Sequence, residues 1–165
     1  MKTRKQGFTL IEILIVVIIL GILAAIVIPQ FTEASSDAKE SSLVSNLQTL
    51  RSQMGLYKVQ HNDTYPNAVD DNVDNFVARL TGETDTDGNL VVGGEFGPYM
   101  QAVPDNPFIT VDGTPPFELA ALGGAPRAVG TDASHWVFDT DTGNIWANDS
   151  KRVNNDEEEP AHSTL

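Results

Sequence analysis

The pattern of hydrophobic and polar positions changes at Pro29. From Phe8 to Ile28 almost every position is apolar, and Thr9 and Glu12 are the distinctly polar exceptions. A helix of this length, rising ~1.5 Å per residue, covers about 31 Å, which is enough to cross the hydrocarbon core of a bilayer. The pattern therefore predicts that this segment is a transmembrane helix.

Beyond Pro29 the apolar positions recur at helical spacing. They form one stripe at Leu43, Leu47, Leu50, Met54 and Tyr57. Spacings of three and four place these side chains on one face of a helix. We therefore predict a single long helix from Phe8 to about Gln60, whose second half packs under a soluble domain. Because proline lacks an N–H and clashes with the preceding turn, a kink or local melting is expected at Pro29.

The remaining chain predicts short elements and turns. A second helix is expected over Asp70–Leu80, with Asp70 or Asp71 as its cap. The expected strands are Leu90–Val92, Phe117–Leu122, and a hairpin of Ser134–Asp139 with Asn144–Asn148. Alternation within the hairpin, of Val137 with Trp136 and Phe138 and of Ile145 with Trp146, predicts that one of its faces lies in the core. The predicted fold class is α+β, with the long N-terminal helix packed on a small antiparallel sheet.

Composition and charge narrow the classes of function. The formal net charge is −13, and loss of the basic Lys2, Arg4 and Lys5 would lower it by three to −16. Such a body repels nucleic acid phosphates, so we expect no nucleic acid partner. The chain has no cysteine, which excludes a disulfide framework, a thiolate zinc site and a cysteine nucleophile.

The segment before the apolar run is short and basic. This flank predicts a single-pass orientation with a cytoplasmic N-terminus and an exported remainder. An ordinary secretory signal fits poorly, because its apolar region is only ~7–15 residues and its small-residue cleavage site follows that region. Here the apolar run is longer, and Gly7 precedes it.

Glu12 lies within the apolar segment and has two interpretations. A carboxylate in a membrane helix costs ~2.5–3.5 kcal/mol at mid-bilayer on insertion scales, and less near an end. In the structural interpretation it is an interfacial residue that the positive end of the helix dipole tolerates. In the functional interpretation, a cut after Gly7 creates an α-amino group on Phe8 that pairs with the Glu12 of a neighbouring subunit.

The string Gly7-Phe8-Thr9-Leu10-Ile11-Glu12, followed by the apolar run, closely resembles the class III signal of type IV pilins and type II secretion pseudopilins. Pro29 also stands where that family places a helix-kinking proline. The resemblance implies that a prepilin peptidase cuts between Gly7 and Phe8 and methylates the Phe8 amine. It further implies that Glu12 helps to register incoming subunits in a filament.

Later segments are most similar to the major, G-type pseudopilins. The matching segments are Asp63–Pro66, Gly97–Met100, Val103–Phe108 and Trp136–Trp146. Phe108 stands where the family commonly has Trp, and residues 109–130 are longer and richer in glycine and proline than the family pattern. The resemblance implies a leader (1–7), a transmembrane and assembly helix (8–29) and a pilin-like globular domain (30–153) that includes the amphipathic half of the long helix. Residues 154–165 contain three consecutive glutamates and a proline, which predicts a disordered acidic tail.

Two acidic runs have carboxylates two residues apart near a glycine. They are residues 85–89 and residues 139–144. This spacing lets a turn direct several oxygens at a hard cation such as calcium, but the same residue types also form ordinary turns. Major pseudopilins bind calcium in their C-terminal region, so the resemblance favours Asp139 and Asp141 as candidate ligands.

The sequence shows no catalytic constellation, and we expect no enzymatic activity. It contains no P-loop, no GxGxxG and no HExxH motif. Ser134 and His135 are adjacent, but no nucleophile-elbow pattern surrounds them, so His135 is interpreted as a surface or strand-end residue. Trp136, Phe138 and Trp146 are interpreted as core residues.

The resemblance therefore predicts a structural subunit of a type II secretion pseudopilus, which drives protein export. Its expected partners are copies of itself, other pseudopilins, the prepilin peptidase and an inner-membrane assembly platform. It would be stored in the inner membrane and then join a periplasmic filament. Two alternatives remain: a type IV pilin for adhesion, motility or DNA uptake, and a membrane-anchored periplasmic enzyme or binding module.

Overall fold

The structure is a computed structural model that describes residues 7–125 and 131–150. The predicted leader, apart from Gly7, and the predicted acidic tail of residues 154–165 lie outside the described residues. The chain divides into two compact units between Ala38 and Lys39.

The long helix, α1, spans Leu10–Gln60 and is 51 residues long. It continues through Pro29, so the predicted local melting there does not occur. In the first unit every side chain from Phe8 to Phe31 is exposed, and the most apolar window of the helix has a mean hydropathy of 3.3. This length and composition fit a membrane span, as predicted.

In the second unit α1 contributes one side of the core. The five residues of the predicted stripe are all buried: Leu43, Leu47, Leu50, Met54 and Tyr57. They pack in one cluster with Phe76, Phe117 and Trp136, among others. Arg51 also ties the helix to the sheet, because its Nη2 donates a hydrogen bond of 2.7 Å to the carbonyl of Ile145.

The second helix, α2, spans Val73–Thr81 and therefore begins later than predicted. The predicted cap at Asp70 or Asp71 is wrong, because Asn72 caps the helix. Its Oδ1 accepts hydrogen bonds from the N–H groups of Asp74 and Asn75 at 2.8 and 3.2 Å. Phe76 and Leu80 on this helix are buried.

Three strands form one sheet in the order β1-β2-β3: β1 is Phe117–Ala120, β2 is Trp136–Asp139 and β3 is Ile145–Ala147. The predicted hairpin is confirmed, since β2 and β3 pair antiparallel. The sheet is nevertheless mixed, because β1 runs parallel to β2, and the prediction of a wholly antiparallel sheet is wrong in this respect. β1 ends at Ala120 and β2 begins at Trp136, which leaves enough chain for the long connection that a parallel pair requires.

Two details of the predicted strands are also wrong. Residues 90–92 form no strand, and Leu90 makes an isolated bridge with Thr84 instead. β2 and β3 are buried at every position, so both of their faces lie in the core. The turn between them needs glycine at position 143, where φ is +77° and a Cβ would overlap the Tyr65 ring.

Candidate functional site

The predicted cleavage bond lies just before α1. Gly7, Phe8 and Thr9 are not helical, and the Phe8 side chain is 85% exposed. A Cβ placed on Gly7 would meet nothing within 4 Å. Packing within the chain therefore does not require glycine at this position, and such a requirement would have to come from the enzyme that cuts the bond. Cleavage and methylation at Phe8 stay predictions.

Thr9 and Glu12 form a capping box at the start of α1. Glu12 Oε2 accepts hydrogen bonds from the Thr9 N–H (2.8 Å) and from the Thr9 hydroxyl (2.7 Å). The Glu12 N–H donates in return to Thr9 Oγ1 at 3.3 Å. This reciprocal arrangement satisfies donors that a helix N-terminus otherwise leaves unpaired. Sequence reasoning missed the role of Thr9, although the Thr-x-x-Glu spacing is its signature.

The capping box leaves room for both interpretations of Glu12. It supports the structural interpretation, because the carboxylate already has partners in its own helix. Both of these hydrogen bonds are made to Oε2. Oε1 could therefore accept a hydrogen bond from a cationic group of a neighbouring subunit. A carboxylate has about four lone-pair sites, so both contacts are possible at once. The pairing with a Phe8 amine stays a prediction.

The two predicted assembly residues, Glu12 and Pro29, do not form one site. They lie in the same helix, about 25 Å apart at ~1.5 Å per residue. Pro29 is exposed, like its neighbours in this unit. Its role in assembly therefore stays a prediction.

The hairpin turn contains the candidate metal ligands Asp139 and Asp141. Asp139 is fully buried, and its carboxylate accepts hydrogen bonds from four groups within the described residues. The donors are the Leu122 N–H (3.0 Å), the Gly124 N–H (2.6 Å), the Asp141 N–H (3.0 Å) and the Thr142 hydroxyl (2.6 Å). Asp139 thus connects the end of β2 to the segment that follows β1.

The ionisation of Asp139 follows from these contacts. Burial disfavours the charged form of its carboxylate. The hydrogen bonds from Thr142, Leu122, Asp141 and Gly124 outweigh that effect and lower the pKa of Asp139 from 3.8 to about 2. The charged carboxylate is therefore the form that holds this turn together at neutral pH.

The carboxylates of both acidic runs already accept hydrogen bonds within the described residues. Among the described residues, no three His, Cys, Asp or Glu side chains are grouped so as to hold a metal ion. The four donors already satisfy Asp139, and the Oδ2 of Asp141 accepts the Gly123 N–H at 3.1 Å. The first acidic run is also internally satisfied, because Asp85 accepts hydrogen bonds from Asp87 and Asn89. Calcium binding at Asp139 and Asp141 stays a prediction.

We expect Asp139→Asn to destabilise the globular part by about 2 kcal/mol at pH 7. The folded pKa lies below the unfolded one, so the contribution is complete above pH 3.8 and is lost as the pH falls through about 2. The difference between parent and variant should therefore shrink over that range. Urea unfolding of the full chain in detergent measures it, because the two tryptophans of the chain, Trp136 and Trp146, both lie in the sheet.

A matched control is Asp87→Asn in the exposed run, which should leave stability nearly unchanged. Two results would contradict this account of Asp139. One is an equal loss of stability in both variants, and the other is a stability difference between parent and Asp139→Asn that does not shrink in acid. The same unfolding experiment decides the calcium prediction. A rise in stability with calcium that magnesium and sodium do not reproduce, and that Asp139→Asn removes, would support a metal site.

The adjacent Ser134 and His135 do not form a catalytic pair. Ser134 Oγ donates to the carbonyl of Trp136 at 2.9 Å, and His135 Nδ1 accepts from the Asn106 N–H at 3.1 Å. His135 lies at the start of β2, as predicted, but it is buried rather than on the surface. The prediction that Trp136 and Phe138 are core residues is confirmed, since both are 0% exposed.

The start of the chain matches a known family model. The model of the prokaryotic N-terminal methylation motif covers residues 2–28. These residues include the predicted cleavage bond and most of the exposed apolar helix. The match confirms the resemblance found at Gly7, Phe8 and Glu12.

Known proteins named "Type II secretion system core protein G" are similar to the chain. The protein of Pseudomonas aeruginosa is 33% identical over 155 residues, which cover 90% of this chain and 100% of that protein. The Escherichia coli protein is 30% identical over 129 residues, which cover 66% of this chain and 88% of that protein. The Dickeya chrysanthemi protein is 41% identical over 66 residues, but the alignment spans only 42% of its length. No solved structure matches the chain.

Proposed function

The chain belongs to the family of type II secretion system core protein G, and on this premise we propose that it drives protein export as a structural subunit of the secretion pseudopilus. The observation that supports this role best is the apolar first half of α1, which is exposed from Phe8 to Phe31. Such a surface needs lipid or other apolar helices around it. A pseudopilin uses both environments in turn.

Processing prepares the subunit for assembly. A prepilin peptidase would hydrolyse the amide bond between Gly7 and Phe8, which frees an α-amino group on Phe8, and would then methylate that amine. The non-helical backbone at this bond and the exposure of Phe8 support its access to an enzyme. Removal of the basic leader also leaves Phe8 as the first residue beside the capping box of Thr9 and Glu12.

Assembly moves the apolar helix from lipid into a bundle of identical helices. This transfer costs little hydrophobic free energy, because lipid tails and apolar side chains are alike as surroundings. Side-chain packing and polar pairs between the helices then determine the geometry of the filament. The pairing between the Phe8 amine of one subunit and Glu12 of the next would set the axial register.

The orientation and the other partners follow from the same proposal. Before assembly the subunit would span the inner membrane once, with its N-terminus in the cytoplasm and its globular part in the periplasm. An inner-membrane platform would add subunits to the base of the filament, together with other pseudopilins. The filament would then grow in the periplasm and push exported proteins outward. In this role the chain has no catalytic step of its own.

Deletion of the gene tests the proposal. Proteins that normally leave the cell should accumulate in the periplasm, and a plasmid copy of the parent chain should restore their export. Surface motility, adhesion and DNA uptake in the same deletion strain provide the comparison with a type IV pilin. Normal export in the deletion strain, with loss of one of those three activities, would contradict the secretion role.

A further inference from the structure

We propose that the acidic tail, residues 154–165, binds to the second half of α1 in its own copy and covers exposed apolar surface there. We call the binding surface the basic stripe, and it consists of Val44, Arg51, Gly55, Lys58 and Val59. The structure describes the stripe and the place where the tail is attached. The contact lies within a single copy, so it holds or fails independently of the proposed function.

The stripe lies on one side of α1, beside the edge strand β3. Positions 44, 51, 55 and 58 are separated by seven, four and three residues, which places them on one face of a helix. Val59 follows Gly55 by four residues and lies on the same side. The Nη2 of Arg51 donates to the Ile145 carbonyl at 2.7 Å, so this side of the helix is next to β3.

The apolar part of the stripe is exposed. Val59 is 81% exposed and Val44 is 39% exposed. A Cβ placed on Gly55 would meet nothing within 4 Å, so the backbone of another segment can approach the helix between the two valines. A segment that covers this surface removes apolar area from water, which is favourable.

The tail is attached close to the same helix. Asn46 on α1 donates from its Nδ2 to the carbonyl of Asp105 at 3.1 Å. The adjacent Asn106 donates from its Nδ2 to the Asp149 carboxylate at 2.7 Å. Asp149 precedes Ser150, which is the last described residue. The chain that leads to the tail therefore leaves the described part near Asn46.

The tail is long enough to reach the whole stripe. Val59 is thirteen residues beyond Asn46, a distance of about 20 Å along the helix at ~1.5 Å per residue. The first acidic residue of the tail, Asp156, is six residues beyond Ser150, and an extended chain of that length spans about 20 Å. The three glutamates that follow can therefore lie beside the basic side chains of the stripe.

Charge directs the tail to this helix. The tail has four acidic residues and no Lys or Arg. The basic residues within 39–125 and 131–150 are Lys39, Arg51, Lys58 and Arg79. Arg79 is 3% exposed and donates to Asp70 at 2.6 Å, so the tail cannot reach it. The other three lie on α1.

The surroundings of the stripe strengthen this preference. Residues 41–62 contain no Asp or Glu that would repel the tail. The chain as a whole has a net charge of −13, so most other surfaces repel an acidic segment. Attraction is therefore concentrated on the stripe.

The covalent attachment makes a weak contact sufficient. Only residues 151–153 separate Ser150 from the tail, and a short flexible linker gives an effective concentration on the order of millimolar. A disordered segment loses conformational entropy when it binds. The electrostatic attraction, together with burial of Val44 and Val59, offsets that loss.

The contact is autoinhibitory. Another chain that approaches the stripe must first displace the tail, and the four carboxylates of the tail repel an acidic partner. Copies of this chain, each with a net charge of −13, are therefore kept from associating through the stripe until the tail is released.

Cysteine crosslinking of the purified full chain in detergent tests the contact, because the parent sequence has no cysteine. The double variant Val59→Cys/Ala161→Cys is treated with a short bis-maleimide, which tolerates wider spacing than a disulfide. A bridged chain gains one linker and an unbridged chain gains two, so intact mass measures the bridged fraction. We expect bridged monomers to predominate.

The matched pair is Val111→Cys/Ala161→Cys, because Val111 is also exposed (67%) but lies outside the stripe and next to Asp112. Its bridged fraction should be several-fold lower. Equal bridged fractions from positions 59 and 111 would overturn the proposal. Dimers from a mixture of the single variants Val59→Cys and Ala161→Cys would mean that the tail binds a second copy, and would overturn a contact within one copy.

Charge variants of the first pair test the electrostatic part. The combined change Glu157→Gln/Glu158→Gln/Glu159→Gln should lower the bridged fraction to that of the matched pair. Lys58→Gln should also lower it, whereas Lys39→Gln, outside the stripe, should leave it nearly unchanged. An unchanged fraction in the triple glutamine variant, or equal effects of the two lysine substitutions, would overturn the proposal. Tryptophan fluorescence that matches the parent in each variant controls for misfolding.

Discussion

Glu12→Ala should lower filament formation at least about tenfold, while the amount of subunit in the inner membrane stays near the parent level. A hydrogen bond to a charged group is worth ~1.5–3 kcal/mol, so its loss weakens each subunit contact by about 10- to 150-fold. Membrane insertion should become slightly easier, because a carboxylate leaves the apolar segment. Sheared filaments and membrane fractions, quantified by immunoblot, measure the two effects separately.

Two further variants decide between the interpretations of Glu12. Glu12→Gln keeps an acceptor for the Thr9 cap but removes the charge, whereas Thr9→Val removes the cap hydroxyl and keeps the charge. Pairing with the Phe8 amine predicts that Glu12→Gln fails to assemble and that Thr9→Val assembles. The reverse result would mean that Glu12 acts through the helix cap and not through the amine.

The long helix and the hairpin could be predicted because their signals are local. The stripe from Leu43 to Tyr57 repeats at helical spacing, and all five of its members are buried. The hairpin has Gly143 at a position that requires a positive φ, between two apolar runs. In such segments the period and the turn residue settle the structure without knowledge of the rest of the chain.

The incorrect predictions concern two kinds of segment. In one kind several neighbouring residues favour competing local structures, and in the other the structure depends on residues that are distant in sequence. Asp70, Asp71 and Asn72 are consecutive residues that can all cap a helix, and the sequence does not rank them. β1 pairs in parallel with β2 although the two strands are far apart in sequence, and strand periodicity does not encode the direction of such a pairing. Residues 90–92 have strand-like side chains, but the glycines that follow and the bridges of Thr84 place them at an exposed loop tip.

The same difference between local signals and contacts of distant residues applies to the candidate site. Gly7, Phe8 and Glu12 could be identified because their motif is contiguous. The carboxylate spacing at Asp139 is compatible with a cation site or an ordinary turn, but two of its hydrogen-bond donors, Leu122 and Gly124, are 17 and 15 residues away in sequence. Spacing within a run cannot reveal such donors. These donors are the reason that the Asp139 carboxylate is buried and charged.

The central claim is that the subunit is cut between Gly7 and Phe8 before assembly. A Gly7→Val variant should keep its leader, remain in the membrane and form no filaments, because a branched side chain would stand beside the bond that the peptidase must reach. Within the chain itself a Cβ at position 7 meets no obstacle, so misfolding should not explain the failure. The tryptophan fluorescence of the variant in detergent should match that of the parent.

Intact-mass and N-terminal fragment spectrometry of chains from sheared filaments tests the claim most directly. The account predicts that the assembled chain begins at Phe8 and carries one methyl group on its α-amine. The Gly7→Val chain, taken from membranes, should begin at Met1. Assembled parent chains that begin at Met1, or at a residue after Pro29, would contradict the account.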